Sequence, residues 1–178
     1  MIRLATFDDL DAIWALRLAT TKLLKARKID QWQHQNPSLK TFENDILKQE
    51  FYVYEVNNEI LGMIAIKEGI EKTYNIIYEG SWGYDKPYLT IHRLAVKENV
   101  LGKHIGEALM RFAETLAIKK KTPYIRIDTY YTNKYALKLF YGLGYILRGI
   151  IILEPGEGDL KRLALDKWIG DIDDENLA

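Results

Sequence analysis

The sequence contains no cysteine. That absence excludes disulfide bracing, thiolate metal sites and cysteine nucleophiles together. Histidine is scarce as well. His34, His92 and His104 stand far apart, with no HExxH or other metal-ligand spacing, so no metal site is expected. The only serines are Ser38 and Ser81. Ser81 lies in Glu79-Gly80-Ser81-Trp82-Gly83, which lacks the GxSxG register of a serine nucleophile, and no GxxxxGKS/T phosphate loop occurs. No apolar run approaches the roughly 18 residues that cross a bilayer. Residues 1–14 carry acids where a signal peptide needs an apolar stretch. A cytoplasmic protein with no membrane partner is the expectation. Lysine plus arginine (25) balance aspartate plus glutamate (25), so bulk charge gives no reason to expect a nucleic acid partner.

What is present is a chain of 178 residues, 48% of them apolar, enough for one domain with a proper core. Residues 1–168 are expected to form that domain, and the acidic residues 169–178 to fray. Residues 2–5 read as a short strand. Thr6 and Asp9 form a capping-box signature ahead of a helix whose apolar face is Leu10, Ile13, Trp14 and Leu18. Residues 28–37 read as a loop around Trp32, which is either a plug over the core or a pocket wall. Leu39, Phe42 and Ile46 fit a second helix. Two apolar runs, residues 51–56 and 60–67, flank the turn signal Asn57-Asn58 and read as a hairpin. Residues 67–86 lack clear periodicity, and a strand near 74–77 is the reading made of them.

The chain turns on residues 89–110, LTIHRLAVKENVLGKHIGEALM. They read as a buried strand (88–96), a polar turn with glycines, and an amphipathic helix (103–120) with Ile105, Ala108, Leu109, Phe112, Ala113 and Leu116 on its apolar stripe. Such a turn aims unpaired N–H groups and the positive end of a helix dipole at one spot, which suits a phosphate or pyrophosphate. A strand at 124–129, a helix at 133–143 with Gly144 as its C-cap, and strands at 145–153 and 160–166 follow. Hairpins in the first half and βαβ in the second imply an α/β fold, with a mixed sheet covered by helices on both faces.

Residues 1–167 resemble the GCN5-related N-acetyltransferase (GNAT) superfamily. The resemblance is carried by HRLAVKENVLGKHIGEAL, the strand at 124–129 and NKYALKLFYGLGY. It implies two parallel central strands that splay apart, acetyl-CoA as cofactor, and an amine of a small molecule or peptide as acceptor. It is consistent with a homodimer. The family loop, Arg/Gln-x-x-Gly-x-Gly/Ala, corresponds to Leu101-Gly102-Lys103-His104-Ile105-Gly106. Leu101 replaces the basic or amide residue, and His104 replaces the first glycine. Lys103 or a protonated His104 is available to replace the lost charge. A positive φ at His104 is expected to cost on the order of 1 kcal/mol. With Glu107 at the helix start, these residues form the expected phosphate site. The Leu94-Ala95-Val96 backbone is expected to pair with the amide arm of the cofactor. Asn133 is expected to bond that arm, to cap its helix, or both, with Ala136 and Phe140 beside it.

The resemblance also frames the chemistry. A neutral amine attacks a thioester, so a base and an oxyanion donor are needed. The donor is expected from the backbone near Leu94 or Ala95. Candidate bases are His92, Glu79 and Asp128. His92 is placed on the same face as Leu94 by strand alternation, and alternatively serves as a structural histidine. Glu79 stands among aromatics that could desolvate it. Where family members often carry an acid tyrosine, this chain has Phe140, with Tyr141 rotated by about 100°. Tyr130, Tyr131, Tyr145 or solvent are the substitutes. Trp32, Tyr78, Trp82 and Tyr84 are candidate walls for an ammonium substrate, or core residues. The altered loop and the missing tyrosine keep open a non-catalytic acyl-CoA-binding or sensor module, and more distantly a scaffold that binds no cofactor.

Overall fold

The computed structural model describes residues 1–170, so the expected acidic tail lies, beyond Gly170, outside the described residues. Seven strands form one sheet in the order β1-β2-β3-β4-β5-β7-β6. They are β1 (Ile2–Leu4), β2 (Phe51–Val56), β3 (Glu59–Lys67), β4 (Leu89–Val96), β5 (Tyr124–Tyr130), β6 (Ile146–Ile152) and β7 (Lys161–Trp168). Only β4 and β5 run parallel; every other neighbouring pair is antiparallel. Four helices cover the sheet: α1 (Leu10–Ala26), α2 (Leu39–Leu47), α3 (Ile105–Lys119) and α4 (Lys134–Gly142). This is the expected mixed sheet with helices on both faces.

Alternation along the strands sends side chains to two cores. Ile64, Ile66, Leu89, Ile91, Ile125 and Ile127 meet Leu109, Met110 and Ala113 of α3 and Phe140 of α4. Val53, Met63, Ala65 and Ala95 face Ile13 and Leu16 of α1 and Phe42 and Ile46 of α2. Asn57 and Asn58, at φ 49° and 63°, make the tight turn between β2 and β3, since asparagine tolerates the left-handed region. The Thr6 N–H donates to the Asp9 carboxylate at 2.8 Å ahead of α1. Hydrogen bonding to Arg3 holds that carboxyl down at about 2.

Three sequence readings are corrected. Leu18 is exposed, while Leu16 and Arg17 turn inward on α1. On α3, Met110 and Ala117 are fully buried, while Ala108, Phe112 and Leu116 lie only half-buried at the flank. The expected strand at 74–77 is instead a 3-10 turn, Lys72–Tyr74, followed by a single bridge between Tyr78 and Ile150. Past this turn the backbone runs close against β6, with Tyr78 and Ile150 exchanging hydrogen bonds at 2.8 and 2.9 Å. A Cβ on Gly80 would lie 1.9 Å from the Arg148 carbonyl oxygen, and one on Gly149 would lie 2.5 Å from that of Tyr78.

Candidate active site

The parallel pairing of β4 with β5 covers three rungs, Leu89 with Ile125, Thr90 with Arg126 and Ile91 with Ile127. Both strands then continue, to Val96 and Tyr130, without pairing to each other. The sheet opens there into the expected splay. The first residues past the last rung are His92 on one lip and Asp128 on the other.

A bulge reshapes the β4 lip. Ala65 of β3 pairs with His92 and Met63 pairs with Ala95, so two residues of β4 oppose one of β3. Arg93 occupies the bulge at φ 54°. Its guanidinium is fastened to the buried carboxylate of Asp45 on α2, which also receives Lys67 Nζ at 3.0 Å. The bulge reverses the alternation. His92 pairs with Ala65 on the α1/α2 side, whereas Leu94 packs into the core beneath α3. The expectation that His92 and Leu94 share a face is therefore corrected.

A cavity of about 490 Å³ opens at the splay. Its walls include His92 and Leu94 of β4, Asp128 of β5, Trp32 of the 28–37 loop, and Asn133, Ala136 and Phe140 of α4. The Nε2 atom of His92 lies 3.1 Å from Oε2 of Glu71, which also faces the cavity. That hydrogen bond holds the Glu71 carboxyl below the usual carboxylate range. Glu71 is fixed in turn, since its N–H donates to the Tyr88 hydroxyl at 3.0 Å and its Oε1 accepts from Thr73 at 3.3 Å. Tyr74, fully buried, donates its hydroxyl to Asp128 Oδ1 at 2.6 Å. Burial first, then the Asp128 charge, pushes the Tyr74 phenol well above its ordinary range, so its proton stays on the tyrosine. Neither Glu71 nor Tyr74 carries a signal in the sequence, because the segment that holds them is aperiodic and reaches the site only through tertiary packing.

Other candidates fall elsewhere. Glu79 is exposed, at φ 58°, and does not line the cavity. Tyr78 is 51% exposed on the bridge to β6. Trp82 donates its indole N–H to the Tyr74 carbonyl and stacks on Arg126. Tyr84 packs on Tyr124 and Trp168. None of these three rings lines the cavity; of the aromatic set, Trp32 alone does. Trp32 also packs on both the α1/α2 core and a smaller cluster with Leu24, Ile29 and Tyr130, so it is plug and wall together. None of the substitute tyrosines lines the cavity. Tyr130 bonds Asp159 at 2.9 Å, and its Tyr131 partner, burial and Asp159 all raise its phenol far above the ordinary range. Tyr145 is buried against Phe140.

The phosphate loop lies outside this cavity, at the start of α3. Leu101, Gly102, Lys103 and His104 are exposed, Ile105 is buried, and Gly106 and Glu107 are half-buried. Gly102 has φ 82° and His104 has φ 59°, both in the left-handed region. The first helical bond runs from the Ala108 N–H to the His104 carbonyl at 2.9 Å, so the N–H groups of Ile105, Gly106 and Glu107 have no partner within the helix. His104 supplies no side-chain cap. Its Nδ1 instead meets Glu107 at 3.1 Å, and Arg111 and His104 together hold the Glu107 carboxyl low. Uncapped donors at a helix start and the unpaired lip of β4 suit a pyrophosphate and an extended amide arm. Asn133 caps α4, accepting from the Ala136 N–H at 3.2 Å, while its Nδ2 donates to Gln31 Oε1 at 2.9 Å. Among the described residues no cluster has the composition of a metal site, and no helix is long and apolar enough to cross a membrane.

Residues 17–145 match the model of the Acetyltransferase (GNAT) family. An uncharacterised N-acetyltransferase of Bacillus subtilis, YesJ, is 25% identical over 149 residues, covering 82% of this chain and 81% of that protein. The crystal structure of a GNAT-family acetyltransferase from Streptococcus agalactiae superposes with a TM-score of 0.81 at 30% identity, over 96% of each chain. The PaiA N-acetyltransferase of Thermoplasma acidophilum, solved in complex with coenzyme A, shares the fold with a TM-score of 0.68 at 19% identity, over 94% of this chain and 98% of that one.

Proposed function

The chain belongs to the GNAT acetyltransferase family, and from that premise we propose that it moves an acetyl group from acetyl-CoA to a primary amine of a small molecule or peptide by direct attack, with His92 accepting the amine's proton. The observation that carries this reading is the splay past Ile91 and Ile127, with a cavity at its mouth and a carboxylate-backed histidine on its lip.

Acetyl-CoA supplies an acetyl thioester, whose carbon–sulfur bond is exchanged for a carbon–nitrogen bond. The residues present fit such a molecule. The free N–H groups of Ile105, Gly106 and Glu107 are suited to hold its phosphates. They act through the backbone, so the change of Leu101 and His104 from the family pattern leaves them in place. Leu94, Ala95 and Val96 offer the unpaired strand edge to its amide arm, and Asn133, Ala136 and Phe140 border the same opening. A backbone N–H near Leu94 or Ala95 is the donor for charge developing on the acetyl oxygen.

His92 takes the proton on Nδ1, because Glu71 fixes the ring by holding Nε2. With Phe140 in place of tyrosine and no other tyrosine on the cavity, the sulfur leaves without an acid from the chain. A thiol with an ordinary acidity of about 8.5 leaves tolerably as the thiolate.

The reading is tested by following thiol release from acetyl-CoA across a panel of primary amines. His92→Ala is expected to lower kcat by roughly 10²- to 10⁴-fold, the worth of a general base, and to flatten the acid limb of the pH–rate profile. That limb marks protonation of the base, so a variant without the imidazole has none to titrate. An unchanged profile would remove His92 from the mechanism.

A further inference from the structure

Five carboxylates line the cavity among the described residues: Glu154 and Glu157 are exposed to solvent, and Glu71 and Asp30 are already engaged. Glu71 serves His92 and Thr73, and Asp30 accepts from the Asp159 N–H at 2.8 Å and from His34 at 3.0 Å. Asp128 differs. Tyr74 binds its Oδ1, and among the described residues no protein donor reaches Oδ2. It stands directly past the last rung, opposite His92. The Tyr74 ring touches both lips, with its hydroxyl on Asp128 and its centroid 6.3 Å from that of His92. Arg162, a buried cation on the same cavity that feels the Asp128 charge, makes its hydrogen bonds elsewhere, its Nη1 donating to the carbonyls of Asp159 and Lys161 at 2.7 and 2.9 Å. A carboxylate held from behind by a buried phenol, with one oxygen free toward a cavity, is built to receive a cation.

We propose that Asp128 is the receptor for the acceptor's ammonium group, holding it across the splay from His92. This rests on the acetyltransferase reading and assigns the acceptor side of that site. A primary alkylamine arrives protonated, yet only its neutral form can attack. One lip binds the charged form and the other removes a proton from it. The proton passes from nitrogen to His92, and Asp128 remains an anion throughout. Binding and deprotonation are thus divided between two groups, and an amine that is uncharged at neutral pH gains nothing from Asp128.

The test compares two kinds of acceptor at saturating acetyl-CoA. One is whichever of phenethylamine, agmatine and 1,4-diaminobutane the wild type acetylates best, and the other is aniline, which is uncharged. Asp128→Asn is expected to raise the alkylamine KM by about 10- to 100-fold, the scale of one charge-assisted hydrogen bond. Its kcat should fall far less, and kcat/KM for aniline should change by less than about threefold. Tyr74→Phe, which keeps the carboxylate but loosens its aim, should raise the same KM by a smaller factor. If Asp128→Asn loses its thermal response to acetyl-CoA, Tyr74→Phe with the same two acceptors decides instead. An unchanged alkylamine KM with a reduced kcat, or equal losses for both acceptors, would overturn the assignment and leave the acetyltransferase reading standing. Acetyl-CoA binding without turnover of any alkylamine would also overturn the assignment. A wild type that neither binds acetyl-CoA nor releases thiol would remove the reading itself, and this inference with it.

Discussion

His104 occupies the position where the family loop has a glycine, and it does so at φ 59°. The backbone conformation is kept although the residue that makes it inexpensive is gone. Its cost is on the order of 1 kcal/mol, and more for a branched side chain. His104→Val is therefore expected to destabilise the chain by about 1–2 kcal/mol, whereas His104→Gly should cost little or stabilise it slightly. Chemical denaturation of both variants checks this; equal losses would mean that the contact with Glu107, rather than the backbone, governs the position. Single residues were legible in the sequence where chemistry is local. The Asn133 cap and the Asn57-Asn58 turn each follow from one side chain and its neighbours. Glu71 was illegible, because its meaning depends on His92, which comes to it only when residues 67–86 fold over the sheet.

At the scale of elements, regular periodicity made the strands and helices readable, and its interruptions caused the errors. A one-residue bulge at Arg93 undoes the inference that His92 and Leu94 share a face, since the rule of two holds only along an unbroken ladder. The segment before β4, aperiodic in sequence, forms a 3-10 turn at Lys72–Tyr74 and a single bridge from Tyr78 to Ile150. The bulge has its own anchor. Asp45 of α2, 2% exposed, binds both Arg93 and Lys67. Removing it leaves Arg93 without its carboxylate in a largely dry setting, while Lys67 keeps Glu50 at 3.4 Å. Asp45→Ala is expected to cost about 3 kcal/mol or more and to weaken acetyl-CoA binding by loosening the β4 lip. Denaturant unfolding and ligand titration of the variant measure the two effects. Loss of stability with unaltered affinity would separate the anchor from the lip.

Across the whole molecule, the sheet divides the labour. The α3 side carries the proposed phosphate loop and a large core, while the cavity opens at the splay between His92 and Trp32 toward α1/α2 and Asn133, Ala136 and Phe140 of α4. The splay between β4 and β5 is where the two communicate, and Gln31 of the 28–37 loop reaches through to Asn133. The fold class could be read in advance from the order of hairpins and βαβ units, and the proposed cofactor half lies in contiguous residues 89–106 and 133–140. The acceptor half draws on β4, β5, the 3-10 turn and two loops, and only the assembled chain brings these together. The most direct measurement is the melting temperature with and without excess acetyl-CoA, for the wild type and for Gly106→Trp. A Cβ at Gly106 would make only ordinary contacts, 3.4 Å from Leu139 and 3.8 Å from Val96, so the fold should survive while the ring covers the helix start. Ligand at 100 times its dissociation constant adds about 2.7 kcal/mol, roughly a 5–10 °C rise for a chain of this size. A rise in the wild type that is lost in Gly106→Trp is the predicted result. No rise in the wild type, or an equal rise in both proteins, would contradict a cofactor held at the start of α3.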